Sequence, residues 1–75
     1  MIFKKPFEKG QIVYICDPDE TTVYVGEIIK CSRKTSKVHF TQAVKKQLYG
    51  TLNVVSLVNN NELYSTPEEA VSKLK

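Results

Sequence analysis

The sequence predicts a small, mainly β domain: a barrel of about five strands that ends in a short helix. Three observations predict it. The 75 residues leave room for one small core, since a domain of this size buries only about 60% of the surface of its unfolded chain. Short runs of β-branched and aromatic residues alternate with turn-forming residues. The last segment carries a clear helix-start signal.

The composition is that of a globular protein, with 41% apolar and 25% charged residues, and it indicates neither a disordered tail nor a membrane segment. No apolar run approaches the roughly 20 residues needed to span a bilayer. Residues 1–6 (MIFKKP) lack the apolar stretch of a signal peptide. We therefore expect a soluble cytoplasmic protein made of a single domain, residues 1–75.

The first two strands are predicted over residues 10–16 and 22–31, because both segments are rich in β-branched and aromatic residues. Residues 17–20 (DPDE) between them form a strong turn signal. Gly26 lies inside the second strand, where a glycine marks a bulge or a sharp bend that curls a small sheet. The second strand is therefore expected to be bent.

Two later strands are predicted over residues 37–42 and 51–58. The first of them shows the alternation of a half-buried strand. Residues 43–48 fit a helical turn or a continued strand, and the strand is favoured. Residues 49–50 (YG) are expected to break the pattern, and the asparagines at 59–61 tolerate the turn that closes the last strand.

A helix is predicted over residues 67–74. Thr66 occupies the N-cap, Pro67 stands where its missing N–H costs nothing, and Glu69 completes a capping box. At about two turns the helix is marginal alone, so it must dock on the sheet. The expected inner stripe consists of Ala70, Val71 and Leu74.

Three segments carry a resemblance to known families. Residues 7–14 (FEKGQIVY) and 23–28 (VYVGEI) resemble the opening two strands of SH3-like barrels, the group that includes Tudor and KOW domains. Residues 63–70 (LYSTPEEA) are similar to the end of small uncharacterised proteins of bacteria and their phages. The resemblance implies an SH3-like barrel of phage or mobile-element origin, and it implies no general activity.

The sequence offers no constellation for an enzyme or a metal site. Cys16 and Cys31 match no zinc-site spacing. Cys16 is expected near the turn between the first two strands and Cys31 at the far end of the second strand, so we expect no disulfide between them. The lone His39 has no evident nucleophile partner. The turn at 17–20 resembles the start of a calcium loop, but the glycine and glutamate that such a loop requires are missing. We expect no catalytic residue, no cofactor and no metal.

The charge distribution suggests a binding surface. The net charge is +3, and no acid occurs between Lys30 and Lys46, whereas an earlier turn is acidic. Basic side chains can bind phosphates, and a nearby ring can stack on bases of single-stranded nucleic acid. The predicted nucleic-acid-binding residues are Arg33, Lys34, Lys37, Lys45, Lys46 and Tyr49.

Two other interpretations of these residues stay open. Residues 32–36 (SRKTS) also fit the solvated tip of a hairpin, which is polar because water reaches it. An aromatic cage for a methylated cation is conceivable in a Tudor-like barrel. Its candidate residues are Tyr14, Tyr24, Phe40 and Tyr49.

The sequence thus predicts a non-enzymatic binding module, with two functions left open. The first is a nucleic-acid accessory protein that uses the basic surface. The alternative is a protein-interaction module, phage-encoded, that modulates a host or partner protein. The sequence leaves the identity of the partner and the oligomeric state undetermined.

Overall fold

The computed structural model describes residues 7–45 and 48–73, without the side chains of Lys45, Leu48 and Tyr49. These residues form one antiparallel five-stranded sheet and one short α-helix. The strand order in the sheet is β4-β3-β2-β1-β5. The elements are β1 (Ile12–Asp17), β2 (Thr22–Cys31), β3 (Thr35–Lys45), β4 (Leu48–Asn59), a 3₁₀ turn (Asn60–Glu62), β5 (Leu63–Tyr64) and α1 (Pro67–Ser72).

The mainly β prediction is confirmed, and β2 has the predicted bounds. The preference for strand after residue 42 is also confirmed, since β3 continues to Lys45. The predicted break at residues 49–50 is wrong, because both residues lie inside β4 and pair with Val44 and Ala43. The ladder with β3 overrides the low strand preference of the glycine, as tertiary pairing often does.

The sheet is bent by irregularities in its ladders. The register between β2 and β3 shifts at Val25/Gly26 and again at Ile28/Lys30, which confirms the bulge predicted at Gly26. A third shift lies between Phe40 and Gln42 in the pairing of β3 with β4. Such bulges increase local twist and curl a sheet. Within residues 7–45 and 48–73, however, no ladder joins the edge strands β4 and β5, so the closed barrel predicted from the sequence is not observed.

One face of the sheet, termed the core face, carries the main hydrophobic cluster. Val13, Ile28 and Val38 are completely buried there. Ile28 pairs directly with Val38, and Val13 pairs with Gly26, two residues before Ile28. Phe7 packs into the same cluster from outside the sheet. The remaining members of the cluster are Cys31, Phe40 and Leu63.

Gly26 lies on the core face, and its lack of a side chain leaves room for the side chains of Val38 and Phe40. A Cβ atom at this position would lie 2.5 Å from Cγ1 of Val38 and 2.9 Å from Cδ1 of Phe40. It would also lie 3.0 Å from the carbonyl oxygen of His39. Because a backbone atom is among these neighbours, no side-chain rotation can make room for a methyl group.

The short helix begins at the predicted residue. Thr66 is the N-cap: its hydroxyl accepts a hydrogen bond from the Glu69 N–H (3.3 Å) and donates one to the Glu69 carboxylate (2.9 Å). α1 contacts β1, β2 and β5. Neither described helix is long or apolar enough to cross a bilayer.

The inner stripe of the helix differs from the prediction. Ala70 is completely buried, as expected. The placement of Val71 is wrong, because its side chain is 51% exposed. α1 ends at Ser72 rather than at residue 74, and Leu74 lies outside the described residues. Adjacent residues of a helix point about 100° apart, so Val71 points away from the face on which Ala70 is buried.

The two cysteines are free thiols, as predicted. Cys16 pairs with Val23 near the β1–β2 turn, whereas Cys31 pairs with Ser36 at the other end of β2. Cys31 is buried and Cys16 is half-buried.

Substitution of Gly26 by alanine should destabilise the fold. The added methyl group overpacks the core face, and overpacking costs about 1–3 kcal/mol. Urea unfolding followed by circular dichroism measures the cost. Gly50→Ala is the matched control, since a Cβ there meets only the Ala43 carbonyl oxygen at 3.9 Å, and it should leave stability unchanged or raise it by about 0.5–1 kcal/mol. Equal stabilities of the two variants would contradict the close approach at Gly26.

Removal of the helix cap should also be measurable. Thr66→Ala loses the hydroxyl that accepts from Glu69 and should lower the free energy of unfolding by about 1 kcal/mol. Thr66→Ser keeps the hydroxyl and should match the wild type. The same urea titration distinguishes them, and a Thr66→Ala protein as stable as wild type would show that α1 contributes nothing to the cooperative fold.

Candidate nucleic-acid interface

The turn between β2 and β3 consists of Ser32, Arg33 and Lys34. It is closed by a hydrogen bond from the Ser32 N–H to the Thr35 carbonyl oxygen (2.8 Å). The sequence also placed Thr35 and Ser36 at this exposed tip, and that placement is wrong. Thr35 already pairs with Asn59 of β4, and Ser36 is 1% exposed. The tip is therefore three residues long.

Asn60, just after β4, holds this turn in place. Its backbone N–H donates to the Lys34 carbonyl oxygen (2.8 Å). Its side-chain Nδ2 donates to the carbonyl oxygens of Ser32 (2.9 Å) and Arg33 (3.3 Å). Its Oδ1 accepts from the buried Ser36 hydroxyl. All three carbonyls of the turn are thus bound by one residue.

Four basic residues surround the clamped turn and are termed the basic end: Lys30, Arg33, Lys34 and Lys37. All four are exposed. Lys30 and Lys37 pair directly across β2 and β3, an arrangement in which like charges repel each other. In the part of the chain that the structure describes, no carboxylate forms an ion pair with either lysine. An anion bound between two opposed lysines would relieve such a repulsion.

The other predicted binding residues do not join the basic end. β3 has 11 residues and is about 34 Å long, so Lys45 lies at the opposite end of the sheet, paired with Thr22. Tyr49 lies in β4, also near that end, paired with Val44. Lys46 is outside the described residues. The structure brings together Arg33, Lys34 and Lys37 from the predicted set and separates Lys45 and Tyr49 from them.

Lys30 belongs to the basic end although it was not among the predicted binding residues. A hairpin signal could have identified it, because the residues flanking a turn face each other across the two strands. Asn60 could not have been found in this way, since it follows β4 and meets the turn only through the β3–β4 ladder.

The acidic turn and the basic end lie at opposite ends of β2. The acidic turn with Asp17, Asp19 and Glu20 precedes Thr22, and the basic end follows Cys31. Ten residues of β2 place about 30 Å between the two. At physiological ionic strength this exceeds the Debye length of about 8 Å, so the acidic turn does not neutralise the basic end.

Of the cage candidates whose side chains the structure describes, Tyr14, Tyr24 and Phe40 do not converge on one site. Tyr24 and Phe40 meet edge to face on the core face, with ring centroids 6.2 Å apart. Tyr14 pairs with Val25 and Tyr64, so it lies on the other face of the sheet. The side chain of Tyr49 is not described. Tyr24 and Phe40 contribute to packing on the core face. They lie beside an apolar cleft of about 450 Å³, which is lined by Ile15, Tyr24, Phe40, Leu52, Val54, Ser56 and Val58.

The surroundings of His39 and Cys16 bear on whether these two side chains could support other chemistry. Nε2 of His39 is hydrogen-bonded to Oδ1 of Asn53 (2.7 Å). Partial burial raises the pKa of the Cys16 thiol, and the neighbouring Asp17 carboxylate raises it further. The thiolate is the nucleophilic form, so Cys16 is a weak nucleophile at neutral pH. No cluster of three metal-ligating side chains occurs among residues 7–45 and 48–73.

Comparisons with protein-family models, curated proteins and solved structures found no match to this chain. The geometry of the basic end is therefore the evidence from which a function can be proposed.

Loss of the Asn60 side chain should loosen the turn. Asn60→Ala leaves the Ser36 hydroxyl and two carbonyls without these partners, which should cost about 1–3 kcal/mol of stability. It should also speed amide exchange of Ser32. Asn60→Asp keeps an acceptor for the Ser36 hydroxyl but removes the Nδ2 donor to the turn carbonyls. The Ser32 amide should therefore exchange as fast in this variant as in Asn60→Ala. Unchanged exchange in both variants would show that the turn is ordered without the clamp.

Proposed function

We propose that this protein is a non-enzymatic binding module whose basic end binds the phosphates of nucleic acid. The observation that carries the proposal is the directly opposed pair Lys30 and Lys37 beside the clamped turn with Arg33 and Lys34. A phosphate between the two lysines turns a repulsive pair into two attractive ones.

The clamp supports the same proposal. A turn that is already ordered loses less conformational entropy when it binds a ligand. Asn60 binds the turn through its carbonyls, and both Arg33 and Lys34 are exposed residues of this turn. Contacts of this kind bind the sugar-phosphate backbone and do not distinguish one base sequence from another.

The proposal includes a finer fold and setting. The five antiparallel strands, the bulges and the terminal helix are compatible with an SH3-like barrel that is incompletely closed. The resemblance of residues 63–70 supports a phage or mobile-element origin, and the proposal places the protein in the cytoplasm. Lys45, Lys46 and Tyr49 form a second group of candidate contacts rather than part of the basic end.

The test is fluorescence anisotropy with a labelled single-stranded oligonucleotide at about 50 and 200 mM salt. Each phosphate contact contributes about 0.7 to the slope of log affinity against log salt for single strands. Lys30→Gln/Lys37→Gln should therefore flatten the slope by about 1.4. Folding should barely change, since exposed substitutions usually shift stability by less than about 0.5 kcal/mol.

The matched control is Lys73→Glu, which lies at the end of α1 and is exposed. Both variants lower the net charge from +3 to +1, the first by removing two positive charges and the second by reversing one. If the control flattens the slope as much as the lysine pair, attraction is due to net charge alone. If the wild type binds no more tightly than about 100 μM at low salt, the nucleic-acid proposal is wrong and a protein partner is favoured.

A further inference from the structure

The edge of β4 is the longest unpaired strand edge in the structure. β4 has 12 residues and is the first strand in the sheet order. In residues 7–45 and 48–73, no strand pairs with its outer side. β5, at the other edge, has only two residues, and very short edge strands are one way in which proteins prevent edge-to-edge association. β4 lacks this protection.

The chemistry of β4 offers little other protection. Residues 48–59 (LYGTLNVVSLVN) contain no charged residue and no proline, the side chains that usually block exposed edges. The register shift opposite Gln42 affects only the part of β4 before Val54. From Val54 to Asn59 the ladder is regular. Val54, Val55 and Leu57 are 49%, 49% and 69% exposed in this part.

We propose that the regular part of β4 pairs with the same strand of a second copy of this chain, antiparallel and centred on Ser56. This register places Val55 opposite the partner's Leu57 on one face. On the core face it places Val54 opposite the partner's Val58, next to the apolar cleft that both residues line. Every exposed apolar residue of the segment thus meets an apolar residue.

A second copy fits this edge because the strand is complementary to itself. A two-fold axis at Ser56 makes the interface isologous, with the same patch on both chains. The paired strands carry no charge, so no like charges face each other across the new ladder. A charged peptide partner gains no ion pair from this edge.

The size of the contact predicts a weak, reversible dimer. A ladder from Asn53 to Asn59 supplies about seven main-chain hydrogen bonds, within the range of about 10 ± 5 for typical interfaces. One sheet edge buries less than the roughly 1,200 Å² of a stable standard interface. We expect a dissociation constant on the order of 10 μM.

Each chain has a net charge of +3, so salt should strengthen the dimer slightly by screening, whereas it weakens nucleic-acid binding. The inference is thus independent of the proposed function.

Sedimentation velocity over a dilution series up to about 1 mM protein tests the proposal. The wild-type mass should rise from 8.5 kDa towards twice that value. Leu57→Lys places a charge opposite apolar Val55 and should raise the dissociation constant at least about tenfold. Val71→Lys is the matched control, because Val71 is 51% exposed on α1, and it should dimerise like wild type. A wild type that stays monomeric at about 1 mM, or a control as disruptive as Leu57→Lys, overturns the proposal.

Cross-linking tests the register even if the charged variant misfolds. Ser56→Cys places the two new thiols directly opposite, with Cβ atoms about 4.5–5.5 Å apart, so an oxidised and reduced glutathione couple should join the chains through a disulfide. In Asn53→Cys the two new thiols lie six residues apart along the paired strands, about 20 Å, so this variant should not cross-link. Peptide mapping separates these products from those of Cys16 and Cys31. A cross-link through Asn53→Cys and none through Ser56→Cys overturns the register.

Discussion

The close approach of β3 to Gly26 is the constraint on which the rest of the structure depends. Val38 and Phe40 pack where a side chain of residue 26 would be, and this contact lets the completely buried Val13, Ile28 and Val38 form one continuous core. In a domain with so small a core, each such contact is a large fraction of the total stability. The register of β3 is set here, and β3 in turn carries both β4 and the basic end.

The basic end shows how the fold orders a turn whose own sequence has no strong turn residue. Ser32, Arg33 and Lys34 contain neither glycine nor proline, so local preference does not select one conformation. Asn60 supplies the missing order by binding the three carbonyls. The order therefore comes from a residue more than 25 positions away in the chain.

The two candidate binding surfaces use different physics at neighbouring places. The basic end acts through charge, which reaches several ångströms and weakens with salt. The β4 edge acts through main-chain hydrogen bonds and apolar contacts, which require register and are little affected by salt. Asn59 and Asn60 connect the two, since one ends β4 and the other clamps the turn. The β4 edge carries no charge, whereas the neighbouring turn is strongly charged. A mutation can therefore alter one of the two interactions without altering the other.

The sequence by itself determined the features that depend on neighbouring residues. The cap formed by Thr66, Pro67 and Glu69 is a contact within one helical turn, and the bend at Gly26 follows from the absence of a side chain. The bounds of β2 and the exposure of Arg33, Lys34 and Lys37 could be predicted for the same reason.

Only the tertiary structure decided what depends on the pairing of distant segments. The burial of Ser36, the continuation of β4 through Tyr49 and Gly50, the exposure of Val71 and the distance between Lys45 and the basic end all follow from strand register and docking. A one-residue change of register moves every side chain of a strand to the other face, and no local pattern in this sequence specifies which residue of β3 meets which residue of β4. For that reason the sequence could indicate a basic hairpin, whereas its clamp by Asn60 and its opposed lysines could be found only in the folded chain.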